Sequence, residues 1–137
     1  MHIHIVSITG MMTAPLALEL KRQGHNVTGS DQEKIYPPFS LLLEKAGIPV
    51  NQTPINDDID LAIIGAAYTV SSITTQAFED IKKKGIKYVS ATEYLASHVV
   101  RPESILVAGS FGKTTISCLL SWIFTCLDLN PSYFFGS

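Results

Sequence analysis

Residues 2–31 read HIHIVSITGMMTAPLALELKRQGHNVTGSD, and this stretch decides the fold. It opens with the β-rich run His2-Ile3-His4-Ile5-Val6 and turns through a loop around Gly10. Residues 13–23 then have helical spacing, with Leu16, Ala17 and Leu20 on one side. Pro15 falls in the first turn, where its missing N–H costs nothing. Gly24 is placed to close the helix in a left-handed conformation. A second short strand, Asn26 to Gly29, leads into a loop containing Asp31. Two strands joined through a helix must run parallel, so the stretch is a βαβ unit.

The rhythm continues outward from this unit. Tyr36-Pro37-Pro38 makes a rigid turn, a helix spans 39–46 and ends at Gly47, and Ile48-Pro49-Val50 forms a short strand. Leu61-Ala62-Ile63-Ile64 reads as a buried strand, 71–84 as a helix ended by Gly85, 86–89 as a strand and 91–98 as a short helix. Strands alternating with helices, several of them unbroken aliphatic runs, predict a parallel sheet covered on both faces. The fold class is therefore α/β, a Rossmann-like three-layer domain over 1–100. Arg101-Pro102-Glu103 breaks the pattern and marks a boundary. From 104 to 137 a strand at 105–108, a helix at 113–127 and a strand at 133–135 read as the β–loop–α–β opening of a second, P-loop domain. No repeat or low-complexity tract interrupts the chain.

Composition narrows the function classes. With 46% hydrophobic and 16% charged residues the chain is globular rather than disordered. A net charge of −2 provides no electrostatic footprint for nucleic acid or an anionic membrane. Lys82-Lys83-Lys84 falls at a helix end, where it suits the negative end of the dipole. Cys118 and Cys126 lie in one predicted helix about two turns, roughly 12 Å, apart, beyond disulfide reach. They read as small core residues in a reducing, cytoplasmic setting. The N-terminus lacks a basic leader pattern. No apolar run reaches the ~18 residues of a membrane span: Ser117, Ser121, Thr125 and Asp128 interrupt the longest one.

The strongest chemical signal is 109-GSFGKTT-115. Backbone N–H groups of a glycine-bearing turn at a helix N-terminus can surround phosphate oxygens, and the dipole assists. Lys113 would lie along the β/γ-phosphates and the Thr114 hydroxyl would ligate Mg²⁺. Val107 stands where the longer P-loop form needs glycine, so the match is to the shorter G-x-x-G-K-T type; the bland alternative is a chance surface turn. The loop 7-SITGMMTAP-15 occupies the position of a dinucleotide or UDP phosphate site but keeps only Gly10, so a plain βα turn is an equal alternative. Asp31 sits where such folds place an acid facing a ribose, or else is a solvated loop residue. His2 and His4 alternate like a metal pair. With no Cys, Asp or Glu nearby in sequence, they read instead as edge or surface histidines, and His25 as serving the turn after Gly24. Leu119, Leu120, Trp122 and Phe124 read as core, or as surface awaiting further structure.

Taken together, HIHIV, GH-x-V-x-GSD, YPP, VAG-x-x-GKTT and the later LNP resemble the start of a Mur ligase across nearly the whole chain. Within that family, 28-TGSD-31 and 36-YPPFS-40 are most similar to the members that attach a murein tripeptide, with the L-alanine-adding members second. The resemblance implies an ATP-dependent ligase joining an amino acid or peptide to UDP-N-acetylmuramate in peptidoglycan synthesis or recycling. ATP would phosphorylate the muramyl carboxylate and an amine would attack the acyl-phosphate. It further implies that Gly109, Ser110, Phe111, Gly112, Lys113, Thr114 and Thr115 bind ATP, with Lys113 catalytic and Thr114 on Mg²⁺. Ser7, Ile8, Thr9, Gly10, Met11 and Asp31 would hold the UDP part. Ser110-Phe111 replaces the family's Thr-His, and Ser7, Thr9, Met11, Ala14 and Pro15 stand where the family tends to carry glycine or small residues. The chain is expected to hold a whole UDP-sugar domain and only the beginning of the ATPase domain. It should be inactive alone and able to self-associate through an exposed strand or helix. A degenerate binding module acting through protein contacts is the alternative. An NAD(P) oxidoreductase is disfavoured by the missing G-x-G-x-x-G and by the GKTT loop.

Overall fold

A computed structural model describes residues 1–51 and 55–135. The elements in chain order are β1 (His2–Val6), α1 (Thr13–Arg22), β2 (Asn26–Ser30), α2 (Phe39–Lys45), β3 (Leu61–Ile64), α3 (Ser72–Lys83), β4 (Tyr88–Ser90), α4 (Ala91–His98) and α5 (Lys113–Cys126). The chain divides into two compact units, one from Met1 to Val100 and one from Arg101 onward. No described helix is long and apolar enough to cross a membrane.

The first unit is built on a four-stranded sheet in the order β2-β1-β3-β4, every neighbouring pair parallel. Because side chains alternate across a strand, β1 feeds both faces. Ile3 and Ile5 enter a core with Leu16, Ala17 and Leu20 of α1, Leu43 of α2 and Ala91 of α4. Val6, Ala62 and Ile64 enter another with Ala77 and Ile81 of α3. These two apolar layers sandwich the sheet, the expected three-layer α/β arrangement.

Three helices end by one device. Gly24, Gly47 and Gly85 have φ of 88°, 64° and 67°. The residue after each returns an N–H to the helix: His25 to Leu20 O, Ile48 to Leu43 O and Ile86 to Ile81 O. This is the Schellman closure, which satisfies orphan carbonyls and turns the chain back into the sheet layer. His25 thus has the turn role its position predicts.

Several elements differ from expectation. The strand predicted at 86–89 lies at Tyr88–Ser90, because Gly85 and Ile86 are spent on the helix closure. Residues 48–50 contribute only the isolated bridge Gly29↔Val50. In the second unit, 105–108 and 133–135 are not strands. Apolar β-formers make a strand only when a neighbour takes up their N–H and C=O groups, and neither segment has one among the described residues. Leu106 and Tyr133 are exposed. Cys118 and Cys126 are exposed as well, not core residues. α5 presents Leu119, Trp122 and Ile123 to solvent and leaves Leu120 and Phe124 half-buried, so the surface reading of that helix holds for most of its length.

Candidate functional site

In a parallel sheet every strand ends at the same edge, and ligand clefts open where successive connections leave in opposite directions. Here β1 lies between β2 and β3, so that point is just beyond Val6. The loop after β1 is tightly held there. Ser7 takes the left-handed conformation at φ 59°, unusual for a residue with a side chain. Its N–H donates to Ser30 O at 2.8 Å, and Ile8 N–H donates to the same oxygen at 3.2 Å. Ser7 O accepts from Thr13 Oγ1 at 2.6 Å and from Gly10 N–H at 3.3 Å. Gly65, at the end of β3, donates to Val6 O. A Cβ on Gly65 would stand 2.8 Å from that oxygen and 3.1 Å from Ser7 Cβ, so the loop and β3 approach as only glycine permits.

A shallow cleft of about 180 Å³ lies over this edge, lined by Ser7, Thr9, Gly10, Asp31, Ser71 and Thr74 among others. Four of those six carry hydroxyls, and among the described residues no lysine or arginine lines the cleft. The Ser7 hydroxyl is buried with no partner among the described residues, so an incoming polar ligand atom would satisfy a group now left unpaired. Ser71 caps α3, its Oγ accepting from Thr74 N–H at 3.1 Å, which turns a helix N-terminus toward the cleft. Ile8 is buried in the core instead and supports the loop from beneath. Met11 is exposed at the loop's crest.

Asp31 is not a solvated loop residue. It is buried, and its carboxylate faces the β1 loop: Oδ2 accepts from Thr9 N–H and Thr9 Oγ1, both at 2.7 Å, and Oδ1 from Gln32 N–H at 2.8 Å. Behind it stands Asn51, which the sequence reading missed. Asn51 Oδ1 accepts from Asp31 N–H at 2.7 Å and Nδ2 donates to Gln32 O at 3.1 Å. Ser71 and Thr74 were also missed; an S-x-x-T pattern at a helix start was their available signal.

In the second unit Gly112 caps α5 at φ 76°, and Lys113 is its first helical residue. Lys113 Nζ bends back over the loop to Gly109 O at 2.8 Å. Ser110, Phe111, Thr114 and Thr115 are exposed around it. The loop therefore offers a left-handed glycine, a helix N-terminus, a lysine and three hydroxyls on an open surface. These donors fit a polyphosphate with its Mg²⁺: the N–H groups and Lys113 match phosphate oxygens, and a threonine hydroxyl matches the metal.

The histidines correct the sequence reading. His2 and His4 are neither edge nor surface residues; β1 is flanked on both sides, and both rings are buried. His2 Nε2 and His4 Nδ1 share Thr28 Oγ1 at 3.0 and 2.9 Å, and His4 Nε2 lies 3.3 Å from Ser30 Oγ. Asp58 comes within 3.2 Å of His2 Nδ1, though that nitrogen makes no hydrogen bond among the described residues. Burial and then the charge of His2 lower the His4 pKa from 6.5 to about 4, which keeps the ring neutral. No group of three or more His, Cys, Asp or Glu among the described residues is arranged to hold a metal ion.

Comparison with known proteins gives this geometry a setting. Residues 2–101 match a family profile described as Mur ligase family, catalytic domain; the GKTT loop lies outside that span. The chain is 38% identical over 99% of its length to the UDP-N-acetylmuramate--L-alanyl-gamma-D-glutamyl-meso-2,6-diaminoheptandioate ligase of Escherichia coli K12, covering 30% of that protein. It is 32% identical over 98% of its length to the UDP-N-acetylmuramate--L-alanine ligase of Prochlorococcus marinus, covering 28% of it. Among solved structures, the UDP-N-acetylmuramate:L-alanyl-gamma-D-glutamyl-meso-diaminopimelate ligase of Neisseria meningitidis superposes with a TM-score of 0.81 at 33% identity, over 99% of this chain and 43% of that one. The chain thus spans about 30% of the length of these curated relatives.

Proposed function

The chain belongs to the Mur ligase family, and on that premise we propose that it forms the leading segment of an ATP-dependent ligase that joins a peptide or amino acid to UDP-N-acetylmuramate. The observation that carries this reading is the end-to-end likeness: 38% identity over 99% of the chain to a tripeptide-adding ligase. Of the two acceptor chemistries named by the relatives, the tripeptide is favoured over L-alanine by the same comparison. The reaction belongs to the cytoplasm, where UDP-sugars and ATP meet.

Residues 1–100 take the sugar nucleotide at the switch-point cleft, with the loop from Ser7 to Met11 against the diphosphate and Asp31 fixing that loop. Residues 104–137 bring the ATP loop. There the N–H groups from Gly109 to Lys113 and the Lys113 ammonium receive the phosphates, and the Thr114 hydroxyl holds Mg²⁺. Bound ATP supplies the phosphoryl group that activates the muramyl carboxylate. The protein's share is to place donors where negative charge develops. The 137 residues by themselves bind ligand but do not turn ATP over, since the GKTT loop lies on an open surface where water screens its donors and weakens their hold on the charge that develops in phosphoryl transfer.

Calorimetric titration with UDP-N-acetylmuramate tests the reading. Saturable heat, competed by UDP, is the expected result. No heat at millimolar ligand would favour a module that works through protein contacts. ATP turnover by the chain, abolished in Lys113→Ala, would overturn the claim that it is inactive alone.

A further inference from the structure

The structure assigns to Asn51 the role of a positioning residue that sets the β1 loop for its ligand by locking Asp31 against Thr9. The inference rests on the proposed sugar-nucleotide site and deepens it. Asn51 stands at φ 61°, a conformation that asparagine adopts more readily than other side chains. Its N–H donates to Gly29 O at 2.8 Å. From that anchor its amide grips the chain just past β2 at two points, the Asp31 N–H and the Gln32 carbonyl. Asp31 is thereby fixed at the root and can spend its carboxylate on Thr9, taking both the N–H and the hydroxyl.

Two consequences follow for the cleft. The Thr9 N–H is withdrawn from the set of donors open to a phosphate, as those of Ser7, Ile8 and Gly10 already are, and the loop is held in one arrangement with its side chains left to face a ligand. With three of the carboxylate's contacts already internal, Asp31 acts on the ligand through Thr9. The Asp31 carboxylate joins the stretch after β2 to the loop after β1, and Asn51 holds Asp31 by its backbone, so Asn51 governs a contact it does not itself make.

Asn51→Gly is the cleanest variant, because glycine keeps the left-handed backbone while removing both amide bonds. Losing two neutral hydrogen bonds behind the site should weaken UDP-N-acetylmuramate binding about three- to ten-fold. The Thr9 amide proton, shifted downfield by its carboxylate acceptor, should move upfield in the amide spectrum. Asp31→Asn should move the Thr9 signal in the unbound protein and provides a second reading should the position-51 variant fold poorly. An unmoved Thr9 amide in Asn51→Gly, or affinity equal to wild type, overturns the assignment. Absence of binding by the wild type would instead count against the proposed ligand, and the clamp would then be judged on the Thr9 signal alone.

Discussion

Acidification should destabilise the first unit through His4. The neutral ring needs one donor and one acceptor, and Thr28 Oγ1 and Ser30 Oγ serve as both at 2.9 and 3.3 Å. An imidazolium would present two donors and a charge in a buried layer beside His2. Its pKa accordingly falls from 6.5 to about 4 in the folded protein. The unfolded chain therefore binds more protons between those values. Stability is fully present above about pH 6.5 and is lost as pH falls toward 4. That interval corresponds to roughly 3 kcal/mol, a large share of what holds a domain this small. Urea unfolding followed by circular dichroism across the window should give a slope approaching about 1.4 kcal/mol per pH unit. His4→Gln should flatten the slope whatever its absolute stability. Glu19 does not confuse the test. Its pKa is lowered from 4.5 to about 2 chiefly by the Arg22 hydrogen bond, so its contribution is full above 4.5 and is lost only as pH falls from there toward 2, and it is weak at an exposed site. Equal stability at both ends of the window, or an unchanged slope in His4→Gln, would refute the reasoning.

Thr28→Val should cost about 2–4 kcal/mol, since it strips a partner from two buried rings at once while conserving shape; the urea midpoint reads it, and a change below half a kcal/mol would show that the rings find other partners. Gly65→Ala should destabilise by about 1–3 kcal/mol and weaken ligand binding together, because the new methyl would press on Val6 O and Ser7 Cβ. Calorimetry and thermal melting on the same sample would separate that outcome from a purely structural effect.

The elements legible in the sequence are those with local signals. α1, α2 and α3 each announce their end by a glycine, and Gly24, Gly47 and Gly85 all serve it. α4 begins with the Ser90 cap and spans the residues its pattern predicts. What escaped depends on partners distant in the chain. Nothing near His4 in sequence signals that Thr28 and Ser30 will bury it, because parallel pairing of β1 with β2 creates that contact. Asn51 looks like any loop asparagine until the fold returns it to Asp31, twenty positions earlier. Residues 105–108 have the composition of a strand, but strand formation belongs to a pair of segments, and propensity cannot supply the second. Asp31 was half legible: its place after β2 follows from the βαβ pattern, whereas its orientation onto Thr9 does not.

The most direct measurement is an amide-resolved titration of the chain with UDP-N-acetylmuramate. The switch-point cleft predicts saturable shifts at Ser7, Thr9, Gly10, Met11 and Asp31 and at the start of α3 near Ser71, with α5 silent until ATP is added. Shifts confined to other surfaces, or a spectrum unmoved by the ligand, would contradict a sugar-nucleotide site at the end of β1.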